Sequence, residues 1–468
     1  MTETETEIHT ESYSLFVPDL SQPCHLIGST ADRYNDSVRH CLAKDSHLIQ
    51  QTVDLEQQST GNNYFRNAKW SPDGSFLLTN SADDVLRLFQ LPQNVYEEQD
   101  TGEPVQMAPN LGIREGEAVY DFAWFPTMNA QDPSTCCFIT SVRDHPIQLW
   151  DACTGSVRAS YRAIDHCERF VGPNVLCFNL DGSKIYTGYE NMIEIFDTYS
   201  GSSDKKPTIP KRKSRHGQKG IISCLDFAPD GYYYAAGSYS ASIGIYDAHN
   251  DKLSLKLTGI EAGVTQVKFS KDGLYLFSAS RHSDTILCWD IRDSANVLYE
   301  LPRPGRTNQR IQFDLDPSGK YLITGDTQGN LLSYDITTGA LEDIETKKRL
   351  VSSVSLHQDI ISSVSFNPVY PVMSTCSGQR KFSLPSVDSD ESEEEEEEII
   401  IDNTLKTWRV PGQYEWYTYE QPLEIADTTD QTALVTDQTA MTIDQTTMVT
   451  DQTTMITETT TTIDSQMD

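Results

Sequence analysis

Eight polar side chains in this 468-residue chain share a chemistry and a recurring place in a repeated pattern. Arg143, Arg281, Arg310, Arg380 and Lys219 supply cations, Gln309 an amide, and Tyr120 and Tyr239 aromatic planes. Cations hold phosphates or carboxylates, rings and guanidinium planes stack, and an amide sets a donor beside an acceptor. Any one of these arginines is better explained by bonds to loop carbonyls and turn aspartates. Five cations on one rim of a negatively charged body favour a phosphate or carboxylate ligand instead, with Arg310 and Arg281 the leading pair. Catalytic chemistry has no local motif: GxSxG, GxxxxGK[ST], HExxH and paired Cys/His spacing are all missing, and His145, His166 and His282 stand alone. The chain reads as a binder without enzymatic activity, cofactor or metal.

The elements that place these residues repeat seven times. A β-run, a turn with Asp or Ser before Gly, a second β-run and then an aromatic, often followed by Asp, recur around Gly74 and Phe89, Gly182 and Phe196, Gly231 and Tyr246, Gly273 and Trp289, and Gly319 and Tyr334. Weaker copies run from VYDFAWFP to Trp150 and from IISSVSFNP to Trp408. Alternation as in TILCWD and LLSYD fits half-buried strands. A four-stranded sheet of this kind cannot bury both faces alone, so neighbours stack around a central channel. The expected fold is an all-β, seven-bladed propeller over residues 60–412, following an N-terminal arm (1–59) and preceding a tail (413–468). YSLFVPDL in the arm is the candidate outer strand that closes the last blade. In a propeller the b–c and d–a connections share one face, and all eight residues fall in or beside them. No apolar run approaches the ~18 residues of a membrane span, so a soluble, intracellular chain is expected, and the ring needs no second copy, so a monomer is expected.

Charge is distributed unevenly. The formal net charge is −33, yet residues 60–382 carry 31 Lys and Arg against 38 Asp and Glu, and the two ends carry the remaining 5 against 31. The overall balance therefore says little about any one face. Ten cysteines without ligand spacing read as reduced core residues. A basic loop at 203–219, with Lys205, Lys206, Lys211, Arg212, Lys213 and Arg215, suits nuclear import or phosphate contact. An acidic insertion at 383–402 splits the last blade, with Ser389 and Ser392 as candidate phosphorylation sites; a solvated loop is the plainer reading, a movable polyanion the sharper one. The Thr-rich DQT repeats at Asp430, Asp437, Asp444 and Asp451 lack coiled-coil core residues and read as disordered.

Particular stretches go beyond generic blade grammar. They are WSPDGSFLLTNSADDVLRLFQLP at 70–92, RDHPIQLWDACTGSVRASYRA at 143–163, GIISCLDFAPD at 220–230, SASRHSDTILCWDIR at 278–292, TNQRIQFDLDPSGKYLITG at 307–325 and SGQR at 377–380. In these the chain resembles the telomerase Cajal body protein family, WD-repeat proteins that bind small Cajal body RNAs. The resemblance implies a non-catalytic scaffold in the nucleus that recognises the CAB-box loop of H/ACA-type small Cajal body RNAs, with telomerase RNA a further candidate, and directs these ribonucleoproteins to Cajal bodies. It implies as partners the H/ACA core proteins such as dyskerin, and the cytosolic chaperonin for folding. Beside it, RNA becomes the best-fitting anion for the eight rim residues. The rival is a protein-only WD-repeat adaptor, such as a ubiquitin-ligase substrate receptor or chromatin scaffold, whose basic rim takes acidic peptides.

Overall fold

A computed structural model describes residues 10–30, 63–96, 103–164, 167–210, 216–292, 296–337, 349–381 and 401–420. Contacts divide the chain into Ser14–Glu415 and a second unit of Met1–Tyr13 with Trp416–Asp468. Within the first unit seven sheets form the seven blades, antiparallel throughout except that Val105–Gln106 adds to the outer edge of blade 7 in parallel. Strands a to d are Phe65–Trp70, Phe76–Ser81, Val85–Gln90 and Leu111–Arg114 in blade 1, and Val119–Trp124, Cys137–Val142, Ile147–Asp151 and Val157–Tyr161 in blade 2. Blade 3 is Val175–Phe178, Lys184–Tyr189, Met192–Asp197 and Ser203–Pro207, and blade 4 is Ile222–Phe227, Tyr233–Ser238, Ser242–Asp247 and Lys252–Leu257. Blade 5 is Val264–Phe269, Tyr275–Ser280, Thr285–Asp290 and Val297–Pro302, and blade 6 is Phe313–Leu315, Tyr321–Gly325, Asn330–Asp335 and Leu350–Ser355. Blade 7 takes Ile361–Phe366, Val372–Ser377 and Leu405–Arg409 from the far end of the propeller sequence. Its fourth strand, His25–Ser29, comes from before blade 1 and pairs with Leu405–Arg409, so the ring closes between distant parts of the chain.

Turn chemistry explains the repeated motif. The a–b glycines Gly74, Gly182, Gly231, Gly273 and Gly319 all have φ between 71° and 75°, the left-handed region that disfavours a side chain. At Gly182 a Cβ would also lie 2.4 Å from the ring of Phe125 in blade 2. The Asp after the strand-c aromatic organises the c–d turn: Asp197 accepts the Tyr199 and Ser200 N–H groups at 3.1 and 2.6 Å. Asp151 likewise accepts those of Cys153 and Thr154, both at 2.8 Å.

Apolar residues collect between blades. Seven buried clusters occur, each built from two neighbouring blades, such as Leu86, Leu88, Phe122 and Phe138 between blades 1 and 2. Burying these faces supplies the stability, at roughly 25 cal/mol per Å² of apolar surface. Polar staples join adjacent a strands along the channel. Lys69 Nζ meets Asp121 at 3.0 Å, Gln266 exchanges two bonds with the Phe313 backbone, and Trp124 Nε1 donates to Lys69 O at 2.9 Å.

Several boundaries differ from the sequence reading. YSLFVPDL is not the closing strand: Thr10–Pro18 pairs with Gly412–Glu420, and its Phe16 and Leu20 pack into the cluster between blades 6 and 7. The apolar residues that suggested a closing strand fill that core. Gly412–Glu420 is likewise a strand where a tail was expected. Ser203–Pro207 is strand d of blade 3 rather than loop, because Lys205 lies opposite Glu194 and Lys206 opposite Ile193 in register. Asp402, assigned to the acidic insertion, is buried in blade 7 and hydrogen-bonded there. The remaining parts of the arm, basic segment, insertion and tail, at 1–9, 31–62, 211–215, 382–400 and 421–468, lie outside the described residues.

Candidate functional site

The d–a and b–c connections converge at one mouth of the channel, where a cavity of about 380 Å³ opens. Its wall draws Tyr64, Arg66, Asn67 and Asn80 from blade 1, Tyr120 and Asp121 from blade 2, Asn174 from the approach to blade 3, and Tyr239 from blade 4. Arg281 of blade 5, and Gln309, Arg310 and Gln312 on the approach to blade 6, complete the polar lining. Five of the eight residues nominated from sequence, Tyr120, Tyr239, Arg281, Gln309 and Arg310, thus meet around one space.

Tyr239 is the centre of the arrangement. The Arg281 guanidinium lies 3.9 Å from its ring centroid and that of Arg310 5.9 Å away. Arg310 Nη2 donates to the Tyr239 hydroxyl at 2.6 Å and to Ser223 O at 3.5 Å. Burial pulls the Arg310 pKa down, but Tyr239 and Asp121 outweigh it and the net shift is upward, so Arg310 stays charged. Arg281 differs. Among the described residues no hydrogen bond or ion pair engages its guanidinium, only the tyrosine face, and its Nε is shielded and unpaired. Among the described residues the one carboxylate in the wall, Asp121, is taken up by Lys69 at 3.0 Å and by the Leu176 N–H at 3.3 Å. Arg66 reaches Asp84 at 3.5 Å. Among the described residues the wall of the mouth therefore sets Arg66, Arg281 and Arg310 against the one carboxylate of Asp121.

Gly263 seats this pair. Its carbonyl accepts the Arg281 N–H at 2.9 Å, and a Cβ there would lie 2.9 Å from Tyr239 O and 3.0 Å from its Cα. Only a glycine lets the two backbones approach so closely. On the other side Gln309 Nε2 donates to Gly378 O at 2.9 Å, tying the approach to blade 6 to the SGQR segment.

The other nominated residues lie elsewhere. Arg143 is exposed beside Asp144 at 3.7 Å, and Lys219 and Arg380 are exposed outside the cavity. Lys205 donates to Ile164 O at 2.9 Å, and Lys206 pairs with Asp204 and Asp251 at 2.7 and 3.3 Å. Lys211, Arg212, Lys213, Arg215, Ser389 and Ser392 lie outside the described residues. Asn67, Asn80, Asn174, Gln312, Tyr64 and Arg66 were not nominated from sequence. For Arg66 and Asn67 a signal existed: aligning FRNAKW with VYDFAW puts them at the positions of Tyr120 and Asp121.

A second polar constellation is structural. In blade 7 Trp408 Nε1 donates to Thr375 Oγ1 at 2.8 Å, which lies 2.8 Å from His357 Nε2, and His357 Nδ1 lies 3.2 Å from Asp402. Burial lowers the His357 pKa. Burial would raise that of Asp402, but hydrogen bonds from His357, Thr404 and the Gln358 N–H hold its carboxyl far below the usual range. Blade 2 builds the same relay with a carboxyl group: Trp150 donates to Thr140 at 3.0 Å and Thr140 to Glu115 at 3.0 Å. These relays lock strand c to the rim, where the ligand-facing connections begin.

Comparison with known proteins bears on the family of the chain. The WD domain, G-beta repeat family model matches residues 56–90, 210–247 and 251–290. Telomerase Cajal body protein 1 of Mus musculus is 40% identical over 340 residues, 72% of this chain and 63% of that protein. The Homo sapiens protein of the same name is 40% identical over 333 residues, 71% of this chain and 60% of its own length. The match thus spans less than two thirds of either. A Schizosaccharomyces pombe protein named guanine nucleotide-binding protein negative regulator 1 is 30% identical over 360 residues, 74% of this chain and 88% of its own length. With seven stacked blades and these relatives, the chain belongs to the telomerase Cajal body protein family of WD-repeat propellers.

Proposed function

We propose that this protein is a non-catalytic RNA scaffold whose cavity mouth recognises the CAB-box loop of H/ACA-type small Cajal body RNAs, with telomerase RNA a further candidate, and directs the ribonucleoproteins to Cajal bodies. The observation that carries the reading is Arg281, a guanidinium stacked on Tyr239 at the cavity mouth and engaged by no described carboxylate or carbonyl. A single-stranded loop is held by such cations at its phosphates and by aromatic or guanidinium planes at its bases. The names of the Cajal body relatives favour a nuclear RNA particle as the destination. H/ACA core proteins such as dyskerin are the proposed partners. The cytosolic chaperonin is the proposed folding aid, consistent with a ring closed by strands as far apart as His25–Ser29 and Leu405–Arg409.

Binding of a fluorescent H/ACA hairpin at several salt concentrations tests the reading. Log affinity falls linearly with log salt, and Arg281→Glu weakens binding on the order of tenfold or more with a shallower slope. Affinity independent of salt and of Arg281 refutes it. The fission yeast relative's name favours the protein-only adaptor; that reading gains if a stoichiometric protein partner survives nuclease treatment while no RNA is retained.

A further inference from the structure

Cations alone would suffice to hold phosphates, yet the same cavity is walled by Asn67, Asn80, Asn174, Gln309 and Gln312. An amide presents a donor and an acceptor side by side, which is the complement of a nucleobase edge. Asn80 is the most informative of the five. It is 4% exposed, its Nδ2 donates to Val119 O at 3.3 Å, and its Oδ1 has no partner. A buried acceptor left unpaired costs stability, and such groups in native proteins call for an explanation. Arg281 Nε, in the same wall, is an unpaired donor. The side chains of Asn174 and Gln312 bond to no described residue. Asn80, with a buried acceptor that lacks a donor, and Arg281, with a buried donor that lacks an acceptor, thus both line one cavity of about 380 Å³, the lower end of the range for small-ligand pockets.

We infer that this cavity is a pocket for one unstacked nucleobase, whose edge is read by Asn80, Arg281 and Gln312. Phosphates then remain at the mouth, and the base turned inward supplies sequence selectivity. The inference rests on the RNA reading and adds to it where specificity resides. Asn80 and Gln312 carry no charge, so they change base preference without changing the number of phosphates neutralised.

The probe is an RNA hairpin with a randomised six-nucleotide loop, selected on the full chain and then rebuilt with an abasic residue at each loop position in turn. One position is expected to lose on the order of tenfold or more in affinity when abasic, and an apolar base isostere without hydrogen-bonding groups does not restore it. Asn80→Ala removes the preference at that position with an unchanged salt slope. Gln312→Ala, which takes away no bond to a described residue, does the same and serves if Asn80→Ala does not fold. Equal sensitivity at every loop position, or full rescue by the isostere, overturns the base pocket and leaves the RNA reading standing. Failure of both the selected hairpins and an H/ACA hairpin to bind at low salt overturns the two together.

Discussion

Arg281, just after strand b of blade 5, and Arg310, on the approach to strand a of blade 6, share one tyrosine, but their surroundings assign them different work. Arg310 hydrogen-bonds the Tyr239 hydroxyl and Ser223 O and so fixes the ring, while Arg281 covers the ring with its guanidinium bonded to no described residue. Gly263 decides whether this pair forms. In Gly263→Ala the new Cβ meets Tyr239 backbone atoms at 2.9 and 3.0 Å, so Tyr239 must move. Loss of one stacked base is worth about 1–3 kcal/mol; RNA affinity, measured by titration, should fall about tenfold or more while the protein stays folded. Acid acts at another residue. His357 has a lowered folded pKa, so its contribution is fully present above its ordinary value of 6.5 and is lost as pH falls through the depressed one; that of Asp402 is lost only further into acid. The denaturant midpoint should drop between pH 7 and pH 5. His357→Gln should flatten that drop while costing about 1–3 kcal/mol at neutral pH. Arg281, Arg310 and Tyr239 could be picked out because loop position marks residues near the mouth, but Arg143, Lys219 and Arg380, chosen on the same ground, lie outside the cavity. Asn80 and Gln312 were not legible, because a buried amide on or beside a strand resembles any other polar strand residue until the opposite wall is known.

Turns and strands set those positions, and they were legible to different degrees. Five of the seven a–b turns announced themselves because a left-handed residue beside a tight hairpin selects glycine there. Two glycines separate the backbone term from the packing term. Gly259, with φ of 92° and no neighbour within 4 Å of a Cβ, should lose only about 1–2 kcal/mol on mutation to Ala. Gly182→Ala adds a clash with Phe125 and should cost about 2–4 kcal/mol, both read from denaturation curves. The closing strand hid for the opposite reason. At Gly28 a Cβ would lie 2.7 Å from Thr407 Oγ1 and 2.9 Å from Met107 Sδ, so the closure needs a glycine that weakens the strand signal of HLIGS. YSLFVPDL carried the stronger pattern because its apolar residues serve a core. Outer strands such as Leu350–Ser355, mostly exposed, lack the alternation that marks the inner ones.

The propeller as a whole is a rigid way to bring six of seven blades to one cavity, and its integrity hangs on a strand supplied from before blade 1. Removing residues 1–30 deletes that strand together with Phe16 and Leu20 and exposes the edge of Leu405–Arg409. Such a truncation should abolish cooperative unfolding and yield aggregate, as size-exclusion chromatography and calorimetry would show. Seven blades could be counted in the sequence because all seven carry a strand-c aromatic and five the same glycine turn; the cavity could not, because it is assembled from single residues contributed by blades far apart in the chain. Net charge says little at this scale too, since a chain of −33 places three arginines and one carboxylate among the described residues of this cavity wall. The most direct test of the central claim is RNA crosslinking in cells followed by sequencing, with wild-type protein beside Arg281→Glu. H/ACA-type small RNAs should be enriched by the wild type and lost from the variant; the same background RNA in both samples would mean that the Arg281 mouth holds no such RNA.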